Sequence, residues 1–459
     1  MSRRPSDADW HRLDHAVAGR VRQPGEAGFR ETSTPFNKRF AGITPGGVVS
    51  VVDTADVRRA LEWARDVGVD VVARSGGHSY AGHSVNTGLV IDLSAMNTVS
   101  ADGSSGLVTT AGGARMADVY AAIQPHEMAF ALGNSSTVGI SGLTLGGGCG
   151  AVSRVFGLTA DALVATTLMT ADGQLLQCDA DHNADLFWAC RGGGGGNFGI
   201  NVSFTFQARP VADCATYLLL WESADAPKVL SVLQEIVRQA PDEFAARIGV
   251  SKACGPETIV SAIGQYLGSA KELREILDPV LSVAQPIRMD IADRTFWQAK
   301  DDLLHETAEG AFAVRTNVVT RPLPDEAIAT MLSFVERRPG SGNPDGGGAA
   351  LFSWGGAINR VGATDTAFAH RNAMFLLSMD TSWAENDEPA VVDANLRWLA
   401  DLGDALSPYV SDGAFQNFID PDLADWRTAY YGVNYPRLKE IKDQVDPDGV
   451  FTFAQSIGS

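Results

Sequence analysis

The residues best suited to chemistry lie in glycine-rich runs. Arg74-Ser75-Gly76-Gly77-His78-Ser79 follows a short apolar stretch. Its two glycines leave backbone N–H groups free to converge on an anion, and Ser75 and Ser79 add hydroxyl donors. Such a loop can hold a pyrophosphate; read alone, it serves equally well as a strand-ending turn. Thr137 to Gly150 reads TVGISGLTLGGGCG, and Arg154 to Asp161 reads RVFGLTAD. Arg191 to Ile200 reads RGGGGGNFGI, and the tail carries Ala429 to Tyr435 (AYYGVNY) and Phe453 to Ile457 (FAQSI). Glycine is costly unless backbone must turn with positive φ or approach something closely. The chain holds 48 glycines, crowded between positions 76 and 199, which suggests backbone wrapped against a large ligand.

The elements around these runs follow from periodicity. Thr54 to Asp66 reads as a helix with Thr54 as N-cap, a stripe of Val57, Ala60, Leu61 and Ala64, and Gly68 as its stop. Val69 to Ala73 and Leu89 to Leu93 read as strands, Met116 to Ile123 as a helix, which makes the first 210 residues an α/β layer. Beyond Pro210 the pattern predicts strands at Thr216–Glu222, Ala245–Lys252, Thr258–Tyr266, Ala311–Val319, Ala349–Ile358 and Ala373–Thr381. Helices are expected at Pro227–Gln239, Ala270–Leu281, Asp325–Arg337 and Val391–Leu406, with Ser341 to Gly348 a hairpin tip or mobile loop. The fold class is therefore α+β: a two-subdomain α/β module over 1–212, an antiparallel-sheet domain with helices on one face over 213–411, and a segment from 412 to 459 returning to the first module.

Composition narrows the function. A length of 459 residues implies two domains. A net charge of −19 argues against nucleic acid, which needs Lys and Arg to replace its counterions, and against an anionic membrane surface. No apolar run is long enough to span a bilayer, and Met1 to His15 lacks the apolar region of a secretory signal. The cysteines (Cys149, Cys178, Cys190, Cys214, Cys254) form no zinc-ligand spacing, so no metal site is expected and a reducing cytoplasm fits.

Taken in order, the glycine-rich motifs and the tail resemble the berberine-bridge-enzyme-like and 6-hydroxynicotine-oxidase-like FAD-linked oxidases of the vanillyl-alcohol-oxidase superfamily, with their PCMH-type FAD-binding domain. The resemblance runs from about Pro35 to Ile457. It implies that Arg74, Ser75, Gly76, Gly77 and Ser79 cradle the FAD pyrophosphate and that His78 is bonded through its ring to the flavin. It implies that Thr137, Val138, Gly142, Leu143, Gly147, Gly148 and Gly150 line the flavin and phosphate path. Gly157, Ile200 and Val202 are expected at the adenosine and pyrophosphate end, and Tyr431 and Asn434 against the flavin from the C-terminus. A covalent bond at the ring edge favours a strong oxidant.

The chain departs from the family in places. Many relatives attach the flavin a second time through a cysteine two residues before the Thr-Val-Gly run. Here that residue is Ser135, so FAD is expected to be covalent through His78 only. Val138 stands where the family gates oxygen, and valine there resembles oxidases; simple packing explains it too. The usual bases are missing: the aligned positions are Cys149, Phe418 and a site near Leu377. Cys149 reads first as a small, inert side chain chosen for space and is a candidate base only if its thiolate were stabilised; Asn417 or Gln416 could orient a substrate, and alternatively a neutral amine needs no strong base. His370 and Arg371 read as structural. Phe352, Trp354, Phe415 and Phe418 pack as core or line an aromatic pocket over the flavin, the core being the commoner use of such residues; a pocket of that kind without acidic residues suits an aromatic or secondary-metabolite alcohol or amine. The reaction expected is oxidation of a C–OH or C–N centre with O2 as acceptor. The alternatives are a carbohydrate oxidase, a dehydrogenase, and a redox-neutral cyclase.

Overall fold

The computed structural model describes residues 5–459 except 254, 256 and 305–309, so Met1 to Arg4 and Cys254 lie outside the described residues. Three sheets of four or more strands organise the chain. In the first, Gly47–Ser50, Leu89–Asp92 and Val71–Arg74 run parallel, with Arg20–Arg22 antiparallel at the edge. The helix Thr54–Val67 makes the crossover. Its N-cap is Asp53, whose carboxylate accepts from Asp56 N; Thr54, expected as the cap, is the first helical residue. Asp and Thr are both good caps, and the preceding residue wins here because its extended backbone aims the carboxylate at the first turn. The predicted apolar stripe is buried, and Gly68 ends the helix at φ 75°, where a side chain would be strained.

The second sheet is antiparallel, in the order Val99–Asp102, Leu107–Ala111, Ile200–Gln207, Leu163–Met169, Leu175–Asp179. Its Met169, Ile200 and Val202 share a core with Leu61 and Ile91 of the first unit. The glycine-rich segments run along the junction.

The third sheet has seven antiparallel strands. Their order is Arg288–Arg294, Cys214–Glu222, Thr258–Tyr266, Phe244–Lys252, Gly347–Ser353, Phe375–Trp383, Ala311–Val319. Helices Ala226–Gln239, Ala270–Val283, Asp325–Glu336 and Pro389–Leu406 bury one face of it. The other face looks toward the first module. Two readings of the sequence are corrected here. The strand expected to reach Ile358 stops at Ser353, because Gly355 and Gly356 take φ 93° and 55° and lead into the short helix Ala357–Arg360. The strand Arg288–Arg294 was not expected; it is an edge strand, largely exposed, and its alternation is masked by charge.

Arg371 joins the two modules, donating through both terminal nitrogens to Asp161 at 2.7 and 2.8 Å. Arg154 spans the same boundary to the Trp354 carbonyl at 2.6 Å. The segment after Ser411 extends the edge of the large sheet, with Val318 N donating to Gly413 O and Phe415 N to Thr316 Oγ1. It then packs into the core of the first module.

Candidate active site

A cavity of about 850 Å³ lies between the helix-free face of the large sheet and the glycine-rich loops. The loop after Val71–Arg74 delivers His78 to its wall. The imidazole stacks on Phe36, with centroids 4.0 Å apart and planes 18° apart. Its Nε2 lies 2.9 Å from Thr137 Oγ1, which lies 3.5 Å from Ser135 Oγ. Ser75 donates to the Gly112 carbonyl at 2.8 Å and fixes the start of the loop. Gly76 must be glycine: an added Cβ would sit 2.3 Å from Gly139 N, where this loop meets the second glycine run.

Ser75, Gly76, Gly77, His78, Ser79, Val138, Gly142, Leu143, Gly150 and Ile200 all face the cavity. The other expected positions sit behind it. The Arg74 guanidinium turns back to the carbonyls of Ser33 and Thr34, so it braces the loop instead of reaching the cavity. Thr137 stands behind His78. Gly147 and Gly148 have φ 111° and 70° and back onto Phe368 and Thr159. Gly157 ends the short helix Ser153–Phe156, and Val202 is buried in the core. Tyr431 is buried and reaches the wall only through Gln416, to which it is hydrogen-bonded. Asn434 donates to the carbonyls of Ala363, Thr366 and Ala367, tying down a loop of the second module.

Two wall glycines test whether a large cofactor fits. A Cβ on Gly142 would meet nothing within 4 Å, and one on Gly195 would make only ordinary contacts at 3.8 Å. Neither has a positive φ. Protein packing gives no reason for glycine at either place, whereas a ligand lying against the backbone does. The buried, unpartnered Ser84 Oγ and His83 Nε2 on the same wall add polar atoms that a bound group can satisfy. The site fits FAD.

Residues 45–179 match the FAD binding domain model, and residues 414–458 match the model described as berberine and berberine like. The uncharacterized FAD-linked oxidoreductase YgaK of Bacillus subtilis is 32% identical over 450 residues, covering 96% of this chain and 97% of its own. The chain belongs to the berberine-bridge-enzyme-like FAD-linked oxidoreductases. Its fold agrees with that of BBE-like 1 from Physcomitrella patens, at a TM-score of 0.89, 26% identity and 98% of both chains. The chitooligosaccharide oxidase of Gibberella zeae is 28% identical over 94% of this chain and 91% of its own.

The reacting end of this oxidoreductase differs from the expectation of an aromatic pocket free of acids. Phe352, Trp354, Phe415 and Phe418 do line it, and Tyr80 stacks on Phe418 at 5.3 Å. But Asp302, Asp345 and Asp380 line the cavity too. Asp380 follows from strand alternation: Phe375, Leu377 and Met379 point into the helix-covered core, and Ser378, Asp380 and Ser382 face the cavity. Leu377, the position aligned with the family base, is thus on the wrong face, and the acid stands three residues later. The Asp380 carboxylate makes no hydrogen bond or ion pair among the described residues. Burial raises its pKa to about 6, with Arg247 and Arg338 opposing the rise.

Cys149 fails as a base. Burial pushes its thiol up to about 12, so it stays protonated. Asn417 faces the cavity, but its amide donates to the Leu143 carbonyl at 2.9 Å; it positions the Gly142–Leu143 stretch. Tyr80, missed in the sequence although it lies two residues after His78, is held protonated by burial, then by Asp380 and Cys149, with its pKa raised to about 12. His370 and Arg371 are structural as read, at the joint between modules.

Proposed function

We propose that this protein is an oxidase that takes a C–OH or C–N centre of a small molecule to the carbonyl or imine, using FAD bound to His78 alone and O2 as the acceptor. FAD, when bound, supplies a two-electron acceptor for the substrate hydride and passes the electrons to O2, giving H2O2. The protein's own task is the proton. Asp380 carries this reading: it is a half-buried carboxylate on the cavity wall that makes no side-chain hydrogen bond or ion pair among the described residues, and its pKa of about 6 leaves it ionised at neutral pH. It accepts the O–H or N–H proton as hydride leaves. Tyr80, protonated throughout that range, orients the reacting group by donating a hydrogen bond. The Phe36 stack and the Thr137 hydroxyl fix the His78 ring for a single ring-to-flavin bond, and Ser135 offers no thiol for a second. Val138 lines the wall, and valine at that position supports O2 as the acceptor.

The hydroxyl-rich wall of Ser251, Ser261, Ser378 and Ser382 favours a second reading, a polyhydroxylated substrate. The similarity to a chitooligosaccharide oxidase supports it. One experiment tests the flavin reading: acid precipitation of the purified protein followed by peptide mass mapping. Flavin on a peptide containing His78 is expected; flavin in the supernatant refutes the covalent bond. Peroxide release under air, screened over alcohols, amines and short oligosaccharides, separates the two substrate readings.

A further inference from the structure

We propose that Arg247 is a specificity residue that binds a carboxylate on the substrate, at the end of a row of aromatic rings that starts at Tyr80. This deepens the oxidase reading and rests on it. Arg247 lies on the strand Phe244–Lys252, in the interior of the seven-stranded sheet, on the face that lines the cavity. The residue is exposed and lines the cavity. Among the described residues it makes no hydrogen bond or ion pair. Its recorded neighbour is the ring of Phe352, 5.5 Å from the guanidinium carbon.

A guanidinium in a cavity that makes no direct ion pair is left partly unsatisfied, and desolvation pulls its pKa down. Asp380 is close enough to push back but does not pair with it. An arginine kept in that position is best explained by an anion that arrives with the ligand. The planar fork of five donors matches a carboxylate through two parallel hydrogen bonds.

The path between the two ends is aromatic. Tyr80 stacks on Phe418 at 5.3 Å, Phe418 meets Phe352 edge-on at 6.2 Å, and Phe352 carries Arg247. A ligand with its reacting C–OH or C–N beside Tyr80 lays its body along these rings and reaches Arg247 with its other end, while Asp380 acts on both Tyr80 and Arg247 through space. The ligand class is therefore an alcohol or amine with an apolar or aromatic body and a terminal carboxylate.

The test is calorimetric titration of the purified holoprotein with benzoate, benzamide and phenyl phosphate, on the wild type, Arg247→Met and Arg247→Lys. Benzoate is expected to bind about tenfold or more tighter than benzamide, the gain of a charge-assisted pair. Arg247→Met should erase that preference, and Arg247→Lys should restore part of it; retention of flavin and of the unfolding temperature verifies the fold of each variant. Equal binding of benzoate and benzamide to the wild type, or an unchanged preference in Arg247→Met, overturns the proposal. Preference for phenyl phosphate overturns the carboxylate assignment. Heat of binding does not depend on turnover, so failure here is distinct from failure of the oxidase reading, which a protein without bound flavin would reveal separately.

Discussion

At the residue scale, the proposed reaction divides its proton chemistry between two side chains. Burial raises both, but with opposite consequences at neutral pH. Asp380, brought to about 6, remains a base there, whereas Tyr80, brought to about 12, remains an acid. A base must be deprotonated to work, so kcat/KM should rise with pH and level off above about 6. Asp380→Asn should remove that limb and lower kcat/KM by about 10²- to 10⁴-fold, read from initial rates of peroxide release across pH 4 to 9. Tyr80→Phe should lower the rate and leave the limb in place. An unchanged profile in Asp380→Asn would assign the proton to another group. The proposed covalent bond is tested separately: His78→Ala should release its flavin on acid treatment, and Thr137→Ala, which removes the hydroxyl 2.9 Å from the ring, should lower the covalently flavinylated fraction measured by in-gel fluorescence.

The elements explain which of these residues were legible beforehand. His78 and the wall glycines announced themselves because close approach of backbone to a ligand leaves a mark on composition. Gly142 shows how direct that mark is. It has space for a side chain and no φ that forbids one, so Gly142→Val should fold with an unchanged far-ultraviolet circular dichroism spectrum and carry little flavin. Gly147, Gly148 and Gly157 belong to the same runs but answer to turns and packing, and sequence alone gives no means of separating the two kinds. Asp380 was hidden by phase: the strand Phe375–Trp383 alternates plainly, but a one-residue error in alignment exchanges the core face for the cavity face. The alternation of Leu376, Ser378, Asp380 and Ser382 was the available signal. Asn434 and Tyr431 were recognisable as important, yet they act one layer back, through the loop at 363–367 and through Gln416. The Arg371–Asp161 pair, read as a joint, carries a measurable load. Arg371→Met leaves Asp161 partly buried without its partner, and should cost about 3–5 kcal/mol in chemical denaturation.

At the scale of the molecule, the cavity belongs to neither module alone. His78 and the glycine loops come from one, Asp380 and Arg247 from the other, and the segment after Ser411 threads Asn417 between them. A flavin held there touches both modules and has no comparable site in the unfolded chain. Its binding therefore adds to stability by mass action, and the form of that dependence reports the covalent bond. A non-covalent ligand stabilises by about 2.7 kcal/mol at a hundred times its Kd and by less as it is diluted. In the wild type with the flavin attached through His78, dilution changes nothing, because the ligand cannot leave. The unfolding temperature of the wild type should thus be independent of added FAD. That of His78→Ala should be lower without added FAD and climb with the logarithm of its concentration, as followed by differential scanning calorimetry. A wild-type transition that also moves with added FAD would mean that the anchor is absent, or occupied in only part of the protein.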